Sequence, residues 1–180
     1  MGKRGSLDDF QCDRQELLRN GIEIVTVPRG GETTYHGPGQ IVAYPIVQLR
    51  QLGLGARAYV ESLEDAMIDT AALYGLECKG RIPGKTGVWV DERKIGAVGV
   101  AISGGVTRHG IAFNADPDVS AFHHIVACGE KIPNATSLAI ELGVNDLDVE
   151  DVSVQLTKNL LARLGFTGNI KYISDVQELL

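Results

Sequence analysis

Several things are scarce or missing in this chain. No apolar run approaches the ~20 residues of a membrane-spanning helix, and no signal-type hydrophobic region follows Met1, so neither a membrane anchor nor secretion is expected. Cysteine is limited to Cys12, Cys78 and Cys128, an odd number without a CxxC pair. That count speaks against a disulfide framework and a zinc knuckle and favours a reducing compartment. Positive charge is also short: 17 basic against 23 acidic residues give a net charge of −6, which argues against a nucleic-acid or anionic-membrane binder. No linker, repeat or low-complexity tract divides the 180 residues. A chain of this length suits one domain that buries about 70% of its unfolded surface without staples.

Glycine, by contrast, is plentiful. It supplies 22 of 180 residues, about 12% against an average near 7%. The glycines cluster at 30–31, 37, 39, 96, 99, 104–105 and 110. Such clusters mark turns or the walls of a tight pocket.

Periodicity and capping residues predict the elements. Ser6 caps a first helix carrying Leu7, Phe10, Leu17 and Leu18, with Gly21 as its stop. Residues 22–27 alternate as a strand, and 41–49 form a second whose Pro45 makes it an edge or a bend. Val60, Leu63, Met67, Ala71 and Tyr74 mark a helix over 56–74 stopped by Gly75. Residues 87–90, 94–102 and 106–114 read as a three-stranded meander. The stretch 116–129 is irregular, Thr136 or Ser137 caps a short helix ending at Gly143, and Val149 to Leu164 is a last amphipathic helix. Residues 170–173 suggest a final strand. Without a βαβ repeat the class is α+β.

Three motifs are decoys. Residues 80–86 imitate a phosphate loop, but only three residues separate the glycines and a strand follows. Adjacent His123 and His124 point different ways and lack a third ligand at a usual spacing. Asn134-Ala-Thr136 matches a glycosylation sequon in a chain with no secretory signal.

What remains is a constellation. The loop from Arg29 to Gln40 combines Arg, Tyr, His and Gln with four glycines, more chemistry than a turn requires, although a structural Ω-loop is the alternative. Lys94 begins a strand of small and apolar residues. It is either a solvent anchor or a partly desolvated amine. Among the cysteines, Cys128 in IVACGEK is the best nucleophile candidate, because Cys12 and Cys78 sit in or beside regular elements.

The run RGGETTYHGPGQIVAYPIVQLR resembles the signature of the lipoate-biosynthesis octanoyltransferases. The resemblance continues through GVWVDERKIGAVGVAI, TRHGIAFNADPDVSAFHHIVACG and ATSL. It implies the biotin/lipoate protein ligase fold, a mixed sheet flanked by helices. It also implies transfer of an octanoyl group from octanoyl-acyl carrier protein to a lipoyl-domain lysine, of a 2-oxoacid dehydrogenase complex or the glycine cleavage H protein. By the same resemblance Cys128 carries the acyl thioester, and Lys94 lowers its pKa and serves in acid/base steps. Substrate contacts fall on Arg29, Gly30, Gly31, Glu32, Thr33, Thr34, Tyr35 and His36, on Ala97, Val98 and Gly99, and on Gly110, Ile111 and Ala112. No metal, ATP or other cofactor is implied.

The chemistry suits these residues. A free thiol is only a few per cent thiolate at neutral pH, and an adjacent ammonium would stabilise the anion. Small residues at 97–99 and Gly110 are expected to leave room for a linear C8 chain. Ala127 stands where the family usually has proline. Met1 to Gly5 resembles the end of a motif that follows two strands and a helix in the family. Residues 1–180 are therefore expected to be one domain lacking its first strands, and less stable than an upstream-extended form. A monomer is expected, in the bacterial cytoplasm or in a eukaryotic mitochondrion or plastid, without nucleic-acid or membrane partners. An ATP-dependent ligase of the same fold and a non-catalytic binding relative are the competing readings. The first predicts ATP dependence, and the second predicts that Cys128→Ala is silent.

Overall fold

The computed structural model describes residues 1–125 and 134–168. A 3₁₀ turn (Leu7–Asp9) and helix α1 (Arg14–Arg19) precede strand β1 (Gln40–Ala43) and the long helix α2 (Ala56–Leu73). Strands β2 (Val88–Val90), β3 (Arg93–Ser103) and β4 (Val106–Asn114) follow, then a 3₁₀ segment (Val119–His124) and helices α3 (Leu138–Leu142) and α4 (Val149–Arg163). The sheet order is β1-β4-β3-β2, antiparallel at every strand pair. The expected mixed character rests, among the described residues, on one isolated parallel bridge between Lys94 and Ala135.

One face of the sheet carries the core. Helix α2 buries Tyr59, Leu63, Met67 and Ala71 against β3 and β4, and α4 packs on α2 through Val152, Leu156 and Leu160. Each large side chain so buried contributes about 1.5–3 kcal/mol. The opposite face has small residues. Gly110 pairs with Gly99, and Ala112 pairs with Ala97.

The meander, α2, α3 and α4 form where periodicity placed them. Ser137, not Thr136, caps α3 by accepting from the Ile140 N–H. Two expectations for the first 30 residues fail. The single helix from Ser6 to Gly21 is broken in two. Ser6 caps only the 3₁₀ turn, Phe10 turns extended to bridge Ile125, and Asp13 starts α1 afresh. Tertiary pairing overrides the local helix signal there. Residues 22–25 alternate in exposure, but the run 22–27 joins no ladder. Their backbone bonds run to Met1 instead, from the Met1 amine to the Val25 carbonyl and from the Val27 N–H to the Met1 carbonyl. Strand β1 stops before Pro45, whose carbonyl accepts from Thr107 Oγ1 at 2.8 Å and Tyr59 Oη at 3.2 Å. Residues 170–173 lie outside the described residues.

Candidate active site

The small-residue face of the sheet floors a cavity of about 1140 Å³. The loop over 29–36, residues 97–99 and 110–112, and Lys94 all line it. The expected substrate segments and the expected lysine are therefore brought together. Cys128 lies outside the described residues. The described residues that flank its segment, Ile125 and Asn134, both line the same cavity.

Lys94 reaches the cavity through a bulge. Trp89 pairs with Lys94, but neighbouring Val88 pairs with Gly96, so Ile95 is an extra residue on β3. Strict alternation would put Lys94 on the core face with Gly96, where a Cβ would sit 2.7 Å from Met67 Sδ. The extra residue sends Ile95 into the core and turns Lys94 to the cavity, a recognised use of bulges beside functional sites. Lys94 Nζ lies 4.9 Å from the centroid of the buried Trp89 ring, within cation–π range. The Lys94 backbone also holds the chain beyond the 126–133 segment. Its N–H donates to the Asn134 carbonyl at 2.7 Å, and its carbonyl accepts from the Thr136 N–H at 3.0 Å.

The 80–87 stretch is not a phosphate cradle. Its backbone is tied to buried Glu64 of α2, whose Oε1 accepts from the Gly87 N–H at 2.6 Å and Oε2 from the Arg81 N–H at 3.0 Å. Sequence periodicity gave no hint of Glu64, because it sits among the residues of an ordinary helix.

The space expected beside two glycines is already taken. A Cβ on Gly99 would lie 2.8 Å from Arg29 Cδ, and one on Gly110 would lie 2.3 Å from the Ala43 carbonyl oxygen. The buried Arg29 side chain crosses Gly99, and the exit of β1 crosses Gly110. These glycines admit protein rather than leaving a channel, while Ala97 and Ala112 supply the small floor between them. Arg29 Nη1 also donates to the Gly30 carbonyl, and the Gly30 N–H donates to the Val100 carbonyl at 2.8 Å. The second of these bonds ties the signature loop to β3.

The rest of the loop is tied on both sides. Thr33 Oγ1 donates to Asp9 Oδ2 at 2.5 Å. The Tyr35 ring meets Phe122 edge-on at 5.5 Å, linking the loop to the 3₁₀ segment that runs into Ile125. His36 Nδ1 lies 2.6 Å from Gln40 Oε1, Gln40 Nε2 donates to Asn114 Oδ1 at 2.7 Å, and Asn114 Nδ2 donates to the Thr136 carbonyl at 2.9 Å. Gln40 and Asn114 are direct cross-strand partners in the β1–β4 register. Desolvation pushes the His36 pKa below its ordinary value, its Gln40 bond pulls back, and Arg29 adds to the lowering.

The thiols of the other two cysteines are both shifted up. Burial raises Cys78 to about 11, with Glu141 and Glu77 adding to the shift. Cys12 is raised too, by desolvation first and then by Glu16 and Asp13. Its Sγ lies 3.6 Å from His124 Nδ1, and with Glu16 these residues form a small cluster that sequence spacing did not reveal.

Behind Lys94, Arg93 clamps Glu141 through two hydrogen bonds of 2.7 and 2.9 Å, and Thr136 Oγ1 donates to the same carboxylate at 2.6 Å. The Arg93 bonds above all hold the Glu141 pKa below the usual carboxylate range. Stability from this clamp is therefore complete above about pH 4.3 and is lost as pH falls through the lowered folded value. Glu141→Gln is expected to lower the thermal midpoint at pH 7 and to flatten its fall in acid. Parallel midpoint-against-pH curves for the two proteins would remove Glu141 from the account.

The fold is that of the lipoate and biotin protein ligases. It superposes on a lipoate protein ligase of Thermoplasma acidophilum with a TM-score of 0.67 at 15% identity, over 98% of this chain and 73% of that one. For the biotin protein ligase of Aquifex aeolicus the TM-score is 0.56 at 16% identity, over 91% and 68%. The lipoyl protein ligase A/B catalytic domain family matches residues 1–161. The chain is 48% identical over 141 residues to a mitochondrial octanoyltransferase of Arabidopsis thaliana, covering 78% of this chain and 60% of that protein. It is 46% identical over 159 residues to the octanoyltransferase of Solibacter usitatus, covering 88% and 70%. This chain belongs to the lipoyl protein ligase A/B catalytic domain family, and within it to the octanoyltransferases, which are acyltransferases. No described helix is long and apolar enough to cross a membrane.

Proposed function

We propose that this chain moves an octanoyl group from octanoyl-acyl carrier protein to a lysine of a lipoyl domain, through a thioester on Cys128. The observation that supports this most is Lys94, turned by a β-bulge into a cavity that Ile125 and Asn134, the described flanks of the Cys128 segment, also line. In the first half-reaction the Cys128 thiolate attacks the thioester carbonyl carbon. The carbonyl–sulfur bond to the carrier breaks, and the departing thiolate takes a proton from Lys94. Exchanging one thioester for another is nearly isoenergetic, so the acyl-enzyme can persist. In the second half-reaction the acceptor amine attacks, the amide forms, Cys128 leaves as thiolate, and neutral Lys94 takes up a proton. No step draws on ATP or a metal. The reaction fits a bacterial cytoplasm or an organelle such as that of the mitochondrial relative.

Incubating the protein with octanoyl-acyl carrier protein and an apo lipoyl domain, with and without ATP, tests this reading. The lipoyl domain should gain one octanoyl mass at the same rate in both mixtures. Transfer only with ATP, from free octanoate, would replace the reading with a ligase.

A further inference from the structure

Starting from the acceptor ammonium, the second half-reaction releases one proton more than Lys94 takes up. The acceptor lysine arrives as an ammonium and ends as an amide, so two protons must leave its nitrogen. Cys128 departs as thiolate and Lys94 accepts one proton, which restores the starting ion pair. The second proton leaves either to solvent before the amine attacks or to a base in the cavity during the attack, and a neutral base beside the reacting nitrogen speeds the second route.

The hydrogen-bond chain from His36 fixes what that residue can do. Its far end is the Thr136 carbonyl, which can only accept, so Asn114 must present Nδ2 to it. Asn114 Oδ1 then faces Gln40, which must donate through Nε2 and turn Oε1 towards His36. A carbonyl oxygen cannot donate, so His36 must donate from Nδ1 at 2.6 Å. Every amide orientation follows from the backbone oxygen rather than from choice. With Nδ1–H committed, Nε2 keeps its lone pair in the neutral ring, and no described residue bonds it.

Resting on the transfer reading above, we propose that His36 Nε2 is the second proton acceptor of the aminolysis step, with Gln40 and Asn114 as positioning residues that lock the imidazole in its Nδ1–H tautomer. The proton passes from the nitrogen of the tetrahedral intermediate to Nε2, and from there to water at the cavity mouth. A neutral ring suits the task; desolvation favours it and the Gln40 bond opposes it. Arg29 and the Met1 amine both disfavour a cation there. Lys94, His109, His124 and Glu32 line the same cavity.

Two arms test the assignment on the whole chain. The first uses no substrate. Long-range ¹H–¹⁵N spectra of ¹⁵N-histidine-labelled protein at pH 7, with His36 assigned from a His36→Gln variant, should show a neutral Nδ1–H ring. An Nε2–H ring or an imidazolium overturns the lock. The second arm separates the half-reactions. His36→Gln should slow decay of the octanoyl-enzyme on adding apo lipoyl domain by about 10²–10⁴-fold, the range of general base catalysis. It should slow formation of the octanoyl-enzyme far less. Gln40→Glu puts a carboxylate against Nδ1–H and should move the acidic limb of the decay profile to higher pH. Equal slowing of both halves, or an unmoved limb, overturns the role. If the wild-type chain accepts no octanoyl group, the transfer reading fails, and the role of His36 fails with it. The tautomer arm reports separately in that case.

Discussion

Lys94→Met lowers octanoyl transfer by roughly two to four orders of magnitude while changing stability by only about 1 kcal/mol. Methionine keeps an unbranched side chain one atom shorter and can still lie against Trp89. It removes the ammonium with its cation–π contact, and with it the proposed stabilisation of the Cys128 thiolate and the proposed proton acceptor. The backbone contacts of residue 94 to Asn134 and Thr136 survive, because they do not involve the side chain. Loss of activity is therefore expected without loss of the fold. Lys94→Arg should not restore the rate, because a guanidinium keeps its proton throughout the cycle. Rate constants for acyl-enzyme formation, together with a thermal melt of each variant, check both halves. A Met variant within a few-fold of wild type would mean that the cation is supplied elsewhere.

The second large effect falls on a residue with no side chain. Gly87 has φ of 123°, and a Cβ there would lie 2.5 Å from the Gly96 carbonyl oxygen and 2.8 Å from Lys94 Cε. The first obstacle is backbone inside the bulge and cannot swing away. Gly87→Ala is expected to cost about 2–4 kcal/mol, combining strain at positive φ with overpacking, and to displace the Lys94 side chain as well. The variant should melt lower and, when still folded in the cold, should transfer slowly. Gly84→Ala has a positive φ of 78° but nothing within 4 Å of its Cβ, so it serves as the control for strain alone. Equal losses in the two variants would show that the contact with the bulge is unimportant.

The sequence made the regular part of this molecule readable. Leu63, Met67 and Ala71 at helical spacing identified the buried stripe of α2, and short turns between alternating runs identified the meander. The cavity-lining segments were readable through resemblance, since 29–36, 97–99 and 110–112 do line one cavity. The failures have a common cause in long-range pairing. Phe10 leaves its helix to bridge Ile125, and residues 22–27 bond to Met1 rather than to a strand. Gly99 and Gly110 looked like room for an acyl chain, but Arg29 and the exit of β1 occupy that space. The orientation of Lys94 could not be read at all, because period-2 counting from Gly96 turns it towards the core and only the β2 register reveals the extra residue. The chain His36–Gln40–Asn114–Thr136 spans 100 residues of sequence, and its logic depends on a backbone oxygen that no motif displays.

The central claim is that Cys128 carries the acyl group, and intact-protein mass spectrometry tests it most directly. After incubation with octanoyl-acyl carrier protein, the wild-type chain should gain one octanoyl mass, and an apo lipoyl domain should remove it. Cys128→Ala should gain none. An adduct of equal yield on Cys128→Ala, or lipoyl-domain transfer without any adduct on wild type, would contradict the thioester mechanism.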